Sequence, residues 1–187
     1  ITLYAQWKMR GPVFRFTKHD LNGQPLANVG FELYHWAGGT APAEDNKYIQ
    51  SSTIAEDKWV KQDDMEIKSG SDGLVELYFP VNGLFQLVET TPLNGYYTPE
   101  VQWRFVSDVD SDPQTVTDPA LIEPAGDEVP LVEFVSQGED DEKVWSLVNY
   151  KHGEQLPLNM TFRKVDATDM TDGLEGVEFN LYRCVHE

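Results

Sequence analysis

Seven short runs in which β-branched and aromatic residues alternate with polar ones commit this chain to sheets rather than helices. They are Val13 to His19, Val29 to Trp36, Leu74 to Phe79, Leu84 to Thr90, Val101 to Val106, Val129 to Val135 and Val144 to Tyr150. Clusters of Gly, Pro, Asn and Asp separate them, as turns require. Side chains on a strand alternate faces, so each run offers an apolar face that a second sheet must cover. The expected fold is all-β, an antiparallel sandwich of about seven strands. Trp36 to Gly70 is too long for a hairpin loop, and Thr53 with Glu56 resembles a capping box, which predicts one short helix there.

An internal repeat divides the chain. Phe16, Lys18, Asp20, Leu26, Val29, Phe31, Leu33 and Tyr34 recur in order between Met160 and Cys184, given a two-residue insertion before Leu174. A complete domain over 13–152 is therefore expected to be followed by a linker at 153–159 and the truncated start of a like domain at 160–187. Two strands cannot bury a core alone, so that second copy is expected to be disordered or borrowed by a neighbour. The chain opens on Ile1 with no charged leader, which reads as a piece of something longer.

Three strand-like runs place a polar group third in an apolar file: Phe14-Phe16-Lys18, Phe85-Leu87-Glu89 and Trp145-Leu147-Asn149. If the apolar members face the core, an amine, a carboxyl and a carboxamide point inward with them. Singly, such groups snorkel to water or satisfy backbone. Together they predict one shared buried site, because Lys, Glu and Asn are seldom deeply buried unless they satisfy one another. Phe16, Phe31, Leu87 and Leu147 are the expected lining.

The segments FRFTKHD, GLVELYFPVNGLFQLVETTPLNGYY and WSLVNYK resemble, in order, the first strand, the region around the catalytic Glu and the last strand of collagen-adhesin B-type pilin and surface-adhesin domains. The resemblance covers nearly all of Val13 to Lys151; the segments 36–70 and 107–143 are longer than the family's usual connections. It implies an immunoglobulin-like, prealbumin-like sandwich locked by an intramolecular isopeptide bond from Lys18 to Asn149, with Glu89 handling protons. The chemistry is reasonable in itself. Burial disfavours the ammonium form of Lys18, so its free amine becomes a nucleophile. A neutral Glu89 would hydrogen-bond the Asn149 carbonyl, polarise it and pass protons to the leaving nitrogen. Folding supplies the effective concentration that amide exchange otherwise lacks. The reaction turns over once, so an enzyme is not expected. The link would enclose nearly the whole domain and restrict the unfolded chain by on the order of 5 kcal/mol. Lys164, without partners of its own, is expected to remain a free amine.

The resemblance also implies a secreted, cell-wall-associated stalk or pilin-like module of a Gram-positive bacterium, whose partners are neighbouring domains of the same protein. Residues 1–8, ITLYAQWK, resemble the end of an internalin-type surface repeat, so 1–10 is expected to close a preceding domain.

Composition narrows the alternatives. Lys plus Arg number 14 against 32 Asp plus Glu, a formal charge of −18, which repels phosphate backbones and anionic lipid. No run of 18 apolar residues is present for membrane insertion. Cys184 is the single cysteine, so no intrachain disulfide can form. Asp108, Asp110 and Asp112 begin like a calcium loop, but Pro113 follows and the glycine turn is missing, so neither metal nor cofactor is expected. The rival reading is a carbohydrate- or host-ligand-binding adhesin domain, with Trp36, Trp59 and Trp103 as stacking platforms and Trp145 assigned to core.

Overall fold

The structure, a computed structural model, describes residues 11–38, 42, 47–50, 58–62, 66–91, 93–124, 132–138 and 143–154. The expected repeat end at 1–10, the helix near Thr53 and Glu56, most of the linker, and the second domain with Lys164 and Cys184 lie outside them.

Eleven strands form among the described residues: β1 (Val13–Asp20), β2 (Gly30–Trp36), β3 (Trp59–Lys61), β4 (Ile67–Lys68), β5 (Leu74–Tyr78), β6 (Gly83–Thr91), β7 (Gln102–Asp108), β8 (Thr115–Val116), β9 (Ala120–Ile122), β10 (Phe134–Gln137) and β11 (Val144–Asn149). One sheet runs β10-β11-β1-β5. The other runs β3-β2-β6-β7-β8, with β4 also on β2 and β9 also on β7. The all-β sandwich expectation holds, and each predicted run supplies a strand. That predicted at Val129 to Val135 is displaced to β10, and β3, β4, β8 and β9 come from the two long connections.

One pairing departs from the antiparallel expectation: β1 and β11 run parallel, with Phe16 opposite Trp145, Lys18 opposite Leu147 and Asp20 opposite Asn149. They are the first and last of the described strands, so no hairpin dictates their relative direction. The parallel pairing brings the ends of both strands to the same end of the sandwich.

Between the sheets lie Phe14, Phe16, Phe31, Leu33, Leu77, Phe79, Phe85, Leu87, Phe105 and Leu147, all buried. Edge-on ring contacts tie them, such as Phe16 on Phe134 at 4.8 Å and Phe79 on Phe85 at 5.1 Å. Each such side chain contributes about 1.5–3 kcal/mol by leaving water. A second, smaller core covers the outer face of the larger sheet, where Tyr34, Ile49 and Trp59 pack together. There the Gln102 carboxamide grips the main chain of Ile49 at both its N–H and its C=O, each at 2.9 Å. Gln86 and Arg104 both donate to the Lys47 carbonyl, at 3.0 and 2.7 Å. The segment 47–50 is thereby strapped onto the sheet.

Candidate functional site

Alternation along β1 buries Phe14, Phe16, Lys18 and Asp20 in one file. The same period buries Phe85, Leu87 and Glu89 on β6 and Leu147 and Asn149 on β11. The three predicted polar groups therefore point into the core from two sheets, with Lys18 0%, Glu89 3% and Asn149 1% exposed. They meet. Lys18 Nζ donates to Asn149 Oδ1 at 2.5 Å, and Asn149 Nδ2 donates to Glu89 Oε1 at 2.5 Å. The triangle closes with Lys18 Nζ 3.0 Å from Glu89 Oε2. That last contact is an ion pair buried on both sides.

The expected lining is buried throughout: Phe16, Phe31, Leu87 and Leu147. Phe31 pairs in register with Glu89, its ring centroid lies 6.0 Å from Lys18 Nζ, and Leu147 is the register partner of Lys18. Burial in this apolar enclosure pushes the Lys18 amine below the ordinary lysine value, against the opposing attraction of Glu89. One detail differs from the sequence expectation. Glu89 faces the carboxamide nitrogen of Asn149, and the carbonyl is held by Lys18 itself. The two carboxylate oxygens thus address the two nitrogens, one each.

The main chain at Lys18 is fixed from both sides. Its N–H donates to the Gly73 carbonyl at 2.8 Å, and its own carbonyl accepts from Leu26 at 2.9 Å. Gly73 has φ +80°, and a Cβ there would stand 2.4 Å from the Lys18 oxygen, so only glycine fits.

Beyond Asn149 the enclosure is capped. Tyr97 N–H donates to the Tyr150 carbonyl at 2.9 Å, and His152 N–H to the Gly95 carbonyl at 2.8 Å. Lys151 Nζ reaches Asp20 Oδ2 at 2.8 Å and lies 5.6 Å from the Tyr96 ring centroid. Asp20 also accepts backbone N–H groups from Asn22 at 2.9 Å and Gln24 at 3.0 Å. The Lys151 hydrogen bond, helped by the two backbone donors, holds the Asp20 carboxyl below its ordinary value against a smaller opposing effect of burial. Asp20 was not among the predicted site residues. Its signal was available, since it continues the Phe14-Phe16-Lys18 file and recurs in the repeat. A cleft of about 70 Å³ nearby is lined by Thr98, Pro99, Val132, Asn149 and Tyr150.

Of the three tryptophans in the rival reading, Trp36 is half-buried and the other two are buried. Trp59 and Trp103 are each 1% exposed; Trp59 packs on Trp36 at 5.1 Å, and Trp103 Nε1 donates to the Val132 carbonyl at 2.8 Å. Neither offers a free face to a sugar. Trp145, assigned to the core, is only partly buried and stacks near Phe14 at 5.6 Å. In the acidic loop, Asp108 Oδ1 accepts N–H groups from Asp110 and Ser111, turning toward its own backbone.

With this geometry in place, comparison with known proteins defines the class. The family described as "SpaA: Prealbumin-like fold domain" matches residues 13–119, more than half of the 187 residues. The chain belongs to this family. Among solved structures it is similar to the full-length major pilin SpaD from Corynebacterium diphtheriae, at 12% sequence identity and a TM-score of 0.38. That alignment covers 80% of this chain and 32% of the pilin, so the chain spans about a third of that protein's length. No curated protein matches the chain.

Proposed function

We propose that this domain is a structural stalk or pilin-like module of a secreted, cell-wall-associated bacterial surface protein, locked by a Lys18–Asn149 isopeptide bond that it forms unaided. The observation that carries the reading is the buried triangle: an amine 2.5 Å from a carboxamide oxygen and 3.0 Å from a carboxylate, with lysine 0% exposed. Few other purposes explain a lysine buried at such desolvation cost.

Nζ first yields a proton to Glu89, and the free amine then attacks Cγ of Asn149. A second Nζ proton passes through Glu89 to Nδ2, which Oε1 already faces. The Cγ–Nδ2 bond breaks, ammonia leaves, and an Nζ–Cγ amide remains. Because β1 and β11 are parallel, tension entering at Val13 would run to Lys18, cross to Asn149 and leave at Lys151. The intervening sandwich would carry none of it, which suits a load-bearing array of neighbouring domains.

Mass spectrometry of the intact protein tests the reading. The protein should be lighter than its sequence by one ammonia, a peptide map should join the Lys18 and Asn149 peptides, and Glu89→Ala should restore full mass. Separate Lys18 and Asn149 peptides in the wild type would sink the proposal.

A further inference from the structure

Three Asn-Gly pairs occur in the described residues: Asn22-Gly23, Asn82-Gly83 and Asn94-Gly95. In such a pair the glycine amide nitrogen, unhindered by a side chain, can attack Cγ of the asparagine. A succinimide ring closes as the Cγ–Nδ2 bond breaks and ammonia leaves; water then opens the ring to aspartate or isoaspartate. The step needs a free nucleophilic nitrogen and a carboxamide able to rotate toward it.

The three surroundings differ on both counts. Gly23 N–H is engaged by the Asp20 carbonyl at 3.0 Å, so the attacking nitrogen at Asn22 is held in a turn. At Asn82 the carboxamide is held, since Nδ2 donates to Asp110 Oδ2 and Oδ1 accepts from Val109 N–H, both at 2.5 Å. Asn94 is exposed in the Leu93–Tyr96 turn, closed by Tyr96 N–H on the Leu93 carbonyl at 3.0 Å. Among the described residues neither its carboxamide nor the Gly95 N–H has a hydrogen-bond partner, and the space beside Gly95 Cα is open to 4 Å.

We infer that Asn94 is a site of spontaneous deamidation, selected over Asn22 and Asn82 by the folded structure. Water is the co-reactant, and the inference does not depend on the crosslink. Its consequence is local. Isoaspartate adds a methylene to the main chain beside Gly95, whose carbonyl holds His152, two residues before the Tyr97 amide that holds Tyr150. Ageing at Asn94 therefore loosens the cap beyond Asn149 and adds a negative charge there. The succinimide also weighs one ammonia less than the asparagine, so the intact mass of the wild type alone does not separate it from an isopeptide bond.

The test is storage of the full chain in mildly alkaline buffer, followed by peptide mapping with isoaspartate detection. Asn94 should convert faster than Asn22 by about fivefold or more, the factor one hydrogen bond to the attacking nitrogen is worth, and Asn82 should be slowest. In urea the three rates should draw together, and Asn94→Gln should abolish conversion in its own peptide. Conversion of Asn22 or Asn82 as fast as Asn94 in the folded protein overturns the inference. So does the same ranking in urea, which would assign it to local sequence.

Discussion

Asn149 stands opposite Asp20 in the β1–β11 register, yet its carboxamide oxygen lies 2.5 Å from Nζ of Lys18, two positions earlier on β1. The long lysine side chain spans this diagonal along the inward face, and the short asparagine needs only to stay where it is. A parallel ladder makes the diagonal possible, because both strands then deliver their last inward residues to the same end of the sandwich. Asp20, directly beside Asn149, is left to pair with Lys151.

If the proposed crosslink forms, preventing it while keeping the fold should lower stability substantially. The bond would join residues separated by 131 positions. Closing a loop of that size restricts the unfolded chain by about 5 kcal/mol, equivalent to roughly 10–20 °C in Tm for a chain this long. Asn149→Ala, monitored by calorimetry beside the wild type, should show a loss of that order. An unchanged Tm would mean no covalent link exists.

The buried amine sets a pH dependence in the uncrosslinked protein. Folding lowers the Lys18 pKa from 10.5 because burial disfavours the ammonium form. Between the lowered value and 10.5 the unfolded chain holds a proton that the folded chain has lost, so stability rises with pH across that window and is flat below it. Urea midpoints of Asn149→Ala should climb with pH relative to Lys18→Met/Asn149→Ala. Parallel curves for the two variants would place the amine in water.

Asp20 acts at the other end of the scale. Its folded pKa lies below 3.8 because Lys151 and the Asn22 and Gln24 amides favour the carboxylate. The stability it contributes is present above the unfolded value and is lost as pH falls through the folded one. Asp20→Asn should therefore unfold in acid with a shallower pH dependence than the wild type, measured by circular dichroism with each protein's Lys18–Asn149 state checked by mass. Identical acid transitions would show that the Lys151 contact does not persist in solution.

Gly73→Ala should destabilise the domain by about 1–3 kcal/mol, the usual cost of forcing a side chain into left-handed backbone. The added methyl would meet the Lys18 carbonyl at 2.4 Å, so β1 must shift. Ammonia loss, followed by mass after refolding, should slow in this variant even where folding is complete. A wild-type time course would mean the Lys18 main chain tolerates the shift.

The buried trio was legible in the sequence because a period of two is a strong signal: Lys18, Glu89 and Asn149 each sit two residues beyond an unmistakable core position. Asp20 obeyed the same rule one step further and was passed over, since acidic residues before a turn normally face water. The burial of Gln86 and Gln102 was not legible. Both lie on the outer face of their sheet, and what covers them is a segment some forty to fifty residues away in the chain, which no local pattern announces. Strand direction was equally silent, because alternation reads the same both ways along a parallel or an antiparallel ladder. Which amide atom meets Glu89 depends on a single side-chain torsion, and no pattern of residue types encodes it.

The parallel pairing of β1 with β11 also governs how the domain would fail when pulled. Force applied at the two strands' outer ends drags one along the other in shear, so every rung from Phe16–Trp145 to Asp20–Asn149 is strained at once. An antiparallel neighbour held at adjacent ends would instead peel open one rung at a time. Even before any covalent bond forms, the first and last strands are arranged as a mechanical clasp.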